Sequence, residues 1–185
     1  MVLIRMREPK DYVTQYSHLK NKMERKMIEK CFLETHGYQV LFKLNDIQDS
    51  QEYINMVIEL RLDPHIGDIM VRSISTFIAL NDLRRLASYF AEHIARLQEN
   101  PDSESDTFVP MELGFQVQAL AGEVTPDNEG EFSIRFLLNV GQSKEDGHRV
   151  YIGGESVTKL ANIKAFIAAL HEAFAALSQA DGARL

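Results

Sequence analysis

The stretch Phe132-Ser-Ile-Arg-Phe-Leu-Leu-Asn-Val140 contains the clearest strand signal in the sequence. Its apolar side chains recur at every second position, which is typical of a strand with one buried face. After a polar loop come a strand-like segment at residues 149–152 and the pair Gly153-Gly154, which is predicted to turn the chain into a helix. In this helical pattern, apolar residues recur every three or four positions between Val157 and Leu177. A sheet with one apolar face needs such a helix to cover it. This region therefore predicts a layered α+β fold.

The same order of elements occurs earlier in the chain. Three strand-like segments, the last of them at Ile69 to Ala79, begin at Tyr38 and precede a helical pattern that extends from Leu83 to Leu97. The sequence therefore predicts two units of three strands and one helix, at residues 38–97 and 111–177. Because about 60 residues form a marginal core alone, we expect the units to share one antiparallel sheet of about six strands.

The domain organisation follows from these units. We expect a single α+β domain over residues 38–178, preceded by an N-terminal segment over residues 1–37. Residues 98–107 are predicted to form an acidic linker between the units, because they hold four acidic side chains and no basic or large apolar one. Residues 179–185 lack a periodic apolar stripe and are predicted to fray.

The N-terminal segment is predicted to contain an extra amphipathic helix at residues 10–31, with Gly37 as its stop signal. Its apolar residues recur at spacings of three and four, and they are Tyr12, Tyr16, Leu19, Met23, Met27 and Cys31. Two interpretations remain open. The stripe packs on its own domain, or its first five residues bind another protein or a second copy in a homodimer.

Charge and composition limit the possible partners. The net charge is −7, but residues 1–37 hold eight basic and five acidic side chains, a net +3, so the remainder holds −10. An acidic body opposes phosphate contacts, which makes nucleic acid an unlikely partner. No apolar run approaches the roughly 18 residues that span a bilayer, and the single cysteine fits a reducing compartment. We expect a cytoplasmic protein that does not bind membranes.

Tests for catalytic and metal-binding motifs fail along most of the chain. The acidic residues after Pro101 lack the glycine and final glutamate of a calcium loop, and His171 has no second histidine one helical turn later. The least unlikely metal or acid–base site is Asp63, His65 and Asp68, although polar residues around a proline and a glycine are also typical of a turn. We expect no cofactor, and the failures favour a non-enzymatic protein over an enzyme with a site at 63–68.

Two resemblances to known families bear on function. The run Phe77-Ile-Ala-Leu-Asn-Asp-Leu-Arg-Arg-Leu86, the acidic linker and the run Phe108-Val-Pro-Met-Glu-Leu-Gly-Phe115 together resemble the centre of the WapI-type immunity proteins. The match covers roughly residues 70–175 by pattern. It implies a small bacterial protein that binds and neutralises a toxin, with no catalytic residues to transfer. The doubled order of strands and helix also resembles the Whirly and Pur class, which implies binding of single-stranded nucleic acid.

The sequence therefore predicts a non-enzymatic protein-interaction or regulatory module, in its most specific form an immunity-like inhibitor. Binding of single-stranded nucleic acid and an enzyme site at the 63–68 turn are the alternatives.

Overall fold

The computed structural model describes residues 27–45, 52–125, 127 and 129–182, and within these ranges the chain forms two antiparallel sheets and two helices. The first sheet holds β1 (Met27–Glu34), β2 (Tyr38–Asn45), β3 (Tyr53–Leu62), β4 (Met70–Arg72) and β5 (Thr76–Ala79), and is followed by α1 (Leu80–Glu99). The second holds β6 (Phe115–Val124), β7 (Gly130–Gln142) and β8 (Arg149–Lys159), and is followed by α2 (Leu160–Gly182).

The predicted α+β class with antiparallel pairing and two covering helices is confirmed. The single sheet of about six strands is wrong, because the described strands form one sheet of five and one of three. The strands of each sheet come from one unit, and the two units meet mainly through their apolar faces. Individual backbone hydrogen bonds also join the two sheets. One of them is the bond from the Ile74 N–H to the Asn139 carbonyl, 3.0 Å.

The end of the predicted N-terminal helix is a strand. Residues 27–34 form β1 and pair antiparallel with β2, so a helix extending to residue 31 is wrong. Cys31 and Leu33 are buried while Phe32 is exposed. This alternation is typical of a strand with one face on the core. A spacing of four residues is even, and it therefore fits a strand as well as a helix. Residues 10–26 of the predicted helix lie outside the described residues.

The third predicted strand of the first unit, Ile69 to Ala79, is divided into β4 and β5 by a bend that begins at Ser73. The Ser73 hydroxyl accepts a hydrogen bond from the Ile58 N–H (2.9 Å), and the Ser73 N–H donates to the Ile58 carbonyl. Both bonds keep the bend attached to β3, which pairs with β4 and with β5 at different places. The bend directs Ile74 towards the second sheet.

The last predicted strand continues beyond the point where a turn was expected. Gly153 and Gly154 lie inside β8, and α2 begins at Leu160, so the sequence interpretation of this glycine pair as a turn into a helix is wrong. A Cβ atom on Gly153 would lie 1.8 Å from the Phe136 carbonyl oxygen. Glycine is required here because the two strands approach closely, which is a known role of glycine within a strand.

The core is one cluster of buried apolar residues that draws on both units. Phe42 of β2 lies at its centre, with its ring centroid 5.4 Å from that of Phe115, 5.9 Å from Phe136 and 5.4 Å from Phe166. All four rings are fully buried. The Phe115 and Phe136 rings are close to perpendicular to the Phe42 ring, and edge-to-face pairs of this kind add stability beyond the burial of their area.

The helices are exchanged between the units. Helix α2 of the second unit packs on β1 of the first, where the Cys31 thiol lies 3.5 Å from the Ala169 carbonyl oxygen. Helix α1 of the first unit packs on β6 of the second, where the Ala119 N–H donates to the Tyr89 hydroxyl (2.8 Å). The helices also pack on each other. In each unit, the first strand is therefore covered by the helix of the other unit.

The structure also describes residues 98–107 and 179–182, which lie outside the two predicted units. The acidic linker at 98–107 is attached through buried Ser105, whose N–H donates to the Ala119 carbonyl (2.9 Å). Helix α2 continues through residues 179–182, the first part of the tail that was predicted to fray. No helix in the described part of the chain is long and apolar enough to cross a membrane.

We predict that neither unit folds alone. Residues 1–107 and 108–185, expressed separately, should each lack a cooperative thermal transition because each loses the helix that covers its first strand. Circular dichroism and near-ultraviolet spectra of the fragments, alone and mixed, provide the measurement. A stable, cooperative transition in either isolated fragment would contradict the exchanged packing.

We predict that Phe42→Ala lowers the free energy of unfolding by about 3–5 kcal/mol, because it leaves a cavity among three other rings. Phe32→Ala, on the exposed face of the neighbouring strand, should cost less than about 1 kcal/mol. Urea unfolding of both variants gives the comparison, and equal losses would show that Phe42 is not central to the core.

Candidate interaction surface

Most of the residues predicted to form the interaction stripe lie beyond the described structure. Tyr12, Tyr16, Leu19 and Met23 fall in residues 1–26, and Met27 is the first residue of β1.

The 63–68 turn has the geometry of a self-contained loop. The Asp63 carboxylate accepts the His65 N–H at 2.8 Å, and the Asp63 carbonyl accepts the N–H groups of Ile66 (2.9 Å) and Gly67 (3.2 Å). His65 and Asp68 are exposed. Among the residues that the structure describes, no group of three or more His, Cys, Asp and Glu side chains is placed to hold a metal ion. The first carboxylate of the turn is thus used to close the turn itself.

Buried His93 forms a polar cluster that joins α1, the linker and β6. Its Nε2 lies 3.0 Å from the Leu120 carbonyl oxygen and its Nδ1 lies 2.8 Å from the Ser105 hydroxyl. Since a carbonyl only accepts, Nε2 holds the proton and Nδ1 accepts from Ser105. The hydroxyl in turn accepts from the Arg96 guanidinium at 2.6 Å. Burial lowers the pKa of His93, and the positive charge of Arg96 lowers it further, while the bond to Leu120 opposes the shift.

The His93 cluster resembles a serine–histidine pair, but its position is structural. Ser105 and His93 are both buried, and β6 has an irregular register between Ala119 and Gly122 that leaves the Leu120 carbonyl for His93. A bulge of this kind leaves backbone groups without a strand partner, and a buried unpaired carbonyl is costly. His93 thus stabilises the bulge.

The outer face of the first sheet has a carboxylate at its centre. The side chain of Glu59, which is buried, lies 2.5 Å from the Lys43 ammonium and 3.0 Å from the Arg61 guanidinium. The bond to Lys43 lowers the pKa of Glu59 despite some burial, and Arg61 adds to the effect. Two of the cations on this face are therefore already paired with an acid. A groove for single-stranded nucleic acid needs cations directed at phosphates, which this pairing does not favour.

A different surface brings together exposed apolar side chains from distant parts of the chain. We call it the rim patch and define it as Ile66, Ile74, Val150 and Ile152. Their exposed fractions are 64%, 42%, 40% and 46%. Surface apolar residues scattered singly are normal, whereas contiguous ones mark contact sites.

The rim patch lies along β8. Val150 and Ile152 are two residues apart and therefore share a face of the sheet. Ile74 extends to 3.9 Å from the position of a Cβ on Gly141, which pairs with Val150. At the other end, Ile66 extends to 3.6 Å from the corresponding position on Gly37.

The β1–β2 turn borders the patch and holds β8 at one point. The Gly37 N–H donates to the Ser156 hydroxyl at 2.8 Å, and the His36 N–H donates to the Val157 carbonyl at 2.8 Å. The bond to Val157 therefore occupies the outer edge of β8 at this residue.

In the part of the chain that the structure describes, the remaining edge of β8 is open. Strand β8 is the last strand of its sheet, with β7 on its other side. Within the described ranges, residues 149–155 make strand hydrogen bonds to β7 and to no other strand. Open edges are sites at which another strand can add. Sequence reasoning missed this surface, because it ended β8 at the glycine pair and placed Ile74 in the interior of a regular strand.

No protein-family model matches the chain, and no curated protein matches it either.

We predict that His93 makes folding sensitive to acid. In the unfolded chain the pKa of this histidine is close to its ordinary value of 6.5, and in the folded chain its pKa is lower. As pH falls below about 6.5, the unfolded state therefore binds a proton that the native state excludes, so the free energy of unfolding decreases. Above about pH 7 this group makes no pH-dependent contribution, because both states are neutral.

The measurement is urea unfolding at about pH 7.5 and about pH 5.5. His93→Gln should be less stable than the wild type at the higher pH and should show a smaller loss on acidification. His171→Gln, which removes an exposed histidine of α2, should keep the full loss. The interpretation fails if His93→Gln loses as much stability on acidification as the wild type.

Proposed function

We propose that the protein is a non-enzymatic interaction module that binds another protein chain through the rim patch. The observation that carries this proposal is the position of four exposed apolar side chains along an open strand edge. Burying apolar side chains of this size is worth roughly 1.5–3 kcal/mol each when complete. An exposed edge adds backbone hydrogen bonds to the affinity of a strand-like partner.

The use of the polar side chains supports a binding role. Among the described residues, every buried side-chain nitrogen or oxygen has a hydrogen-bond partner. The buried polar groups of Ser73, His93 and Ser105 bind backbone groups or one another at bends of the chain. These polar groups stabilise the fold. The exposed side chains that form the rim patch are apolar.

The finer form of the proposal is an immunity-like inhibitor that neutralises a partner protein. The resemblance of residues 70–175 to WapI-type immunity proteins supports this form. The charge of −10 over residues 38–185 also suits a partner with a basic surface, since complementary charge speeds association. The stripe of Tyr12, Tyr16, Leu19 and Met23 remains a proposed second contact surface.

We predict that charge on the rim patch abolishes partner binding. Ile66→Asp with Ile74→Asp should remove bound protein from the tagged chain isolated from cells, because a carboxylate in an apolar contact loses its hydration. Quantitative mass spectrometry of the bound fraction provides the measurement, and untagged copies of the chain are counted separately from other proteins.

Phe77→Asp provides the matched control. Phe77 is an exposed apolar residue of the first unit that lies in β5, away from β8. This variant should retain the same bound proteins as the wild type, and thermal unfolding should show that all variants fold. If the double variant retains every protein that Phe77→Asp retains, the rim patch is not the binding surface and the proposal fails.

A further inference from the structure

We infer that the occupant of the rim patch is a second copy of this chain. The two β8 strands would pair antiparallel around a twofold axis at Ile152 and join two three-stranded sheets into one sheet of six strands. The inference rests on the proposed function, because it names the partner of the same surface. Three properties of the open edge support this pairing: its length, the direction of its backbone groups and its charges.

The length of the open edge determines where the pairing is centred. The bond from the His36 N–H to the Val157 carbonyl occupies the edge at its C-terminal end. Since β8 begins at Arg149, the open segment is 149–155, and its middle residue is Ile152. An antiparallel pair of identical strands uses this whole segment only if Ile152 lies opposite Ile152 of the partner subunit.

The direction of the backbone groups agrees with this centre. The Val157 carbonyl points away from β7, because it accepts a bond from the β1–β2 turn. Backbone direction alternates along a strand, so residues 149, 151, 153 and 155 also point outwards. Centred on Ile152, Tyr151 opposes Gly153 and Arg149 opposes Glu155 of the partner subunit. All of these residues point outwards, as hydrogen-bonded pairs require.

In this register, residues of opposite charge face each other across the strand pair. Any other register that still pairs outward-pointing residues with each other separates these charges. Arg149 lies opposite Glu155 of the partner subunit, and the twofold axis produces the pair twice. Opposite charges directly across a strand pair are stabilising, and like charges are destabilising. Glu155 already accepts from Arg135 of its own chain at 2.7 Å. The second oxygen of the carboxylate remains for the arginine of the partner subunit.

The apolar side chains meet at the axis. The Ile152 pair is not hydrogen-bonded, which is the closer of the two antiparallel spacings, with Cα atoms about 4.5 Å apart. Val150 lies on the same face opposite Gly154 of the partner subunit, so a large side chain faces a small one. Ile74, beside Val150, extends the apolar contact on both sides of the axis. The pairing thus covers part of the rim patch in each copy.

Cysteine crosslinking tests the register. Ile152→Cys should form a disulfide-linked dimer under mild oxidation, because the paired Cα atoms fall within the usual disulfide range of about 4.4–6.8 Å. Val150→Cys is the matched control, with a similar exposed fraction on the same face. In this register the two residues 150 are about 13 Å apart along the strands, too far for a bond. Cys31, the only native cysteine, is buried.

The expected result is a crosslinking rate at least about tenfold higher for Ile152→Cys than for Val150→Cys, together with a wild-type mass of twice 21.1 kDa in light scattering. Equal rates, or no crosslink at residue 152, would overturn the register. A monomeric wild type would overturn the dimer. If such a monomer still loses a different protein through Ile66→Asp and Ile74→Asp, the proposed function stands. If residue 152 crosslinks but Ile66→Asp with Ile74→Asp retains every other protein that the wild type binds, the rim patch is a dimer contact. The proposed binding of a different protein then fails.

Discussion

The insertion of Phe42 between the aromatic rings of the second unit is the contact on which the rest of the structure depends. Phe42 belongs to the middle of β2, yet its three ring partners all come from β6, β7 and α2. The apolar face of each sheet is therefore buried by the other unit, and the helices close the remaining sides. A shared core stabilises two small sheets because neither sheet buries enough apolar area alone.

The shared core also determines which backbone edges stay open. Helix α2 crosses to β1, and the β1–β2 turn forms hydrogen bonds with residues 156 and 157 of β8. Strand β8 is long and extends past that contact to Arg149. Among the described residues, no other strand pairs with the outer edge of its N-terminal half. The bend at Ser73 adds Ile74 to the same rim, so an open edge and an apolar surface lie side by side.

Polar side chains stabilise the irregular places in both sheets. Ser73 binds β3 where one strand divides into two, and His93 binds the carbonyl left by the irregularity in β6. Asn139 has the same role at the register shift of β7, where its side-chain oxygen accepts a hydrogen bond from the Gly141 N–H at 3.0 Å. A buried polar group without a partner costs about 1–3 kcal/mol, so these residues have a structural reason to be polar.

The α+β class, the two covering helices and the position of most strands could be predicted from the sequence, because apolar periodicity of two or of three to four residues depends only on local geometry. Strand β1 could not, because a spacing of four residues satisfies both periods. Nor could the extent of β8, because Gly153 was needed for close pairing with Phe136 and looked like a turn signal. Ile66, Ile74, Val150 and Ile152 come from three separate segments. Only tertiary packing brought them together, since the contacts between units that place them are absent from any local pattern.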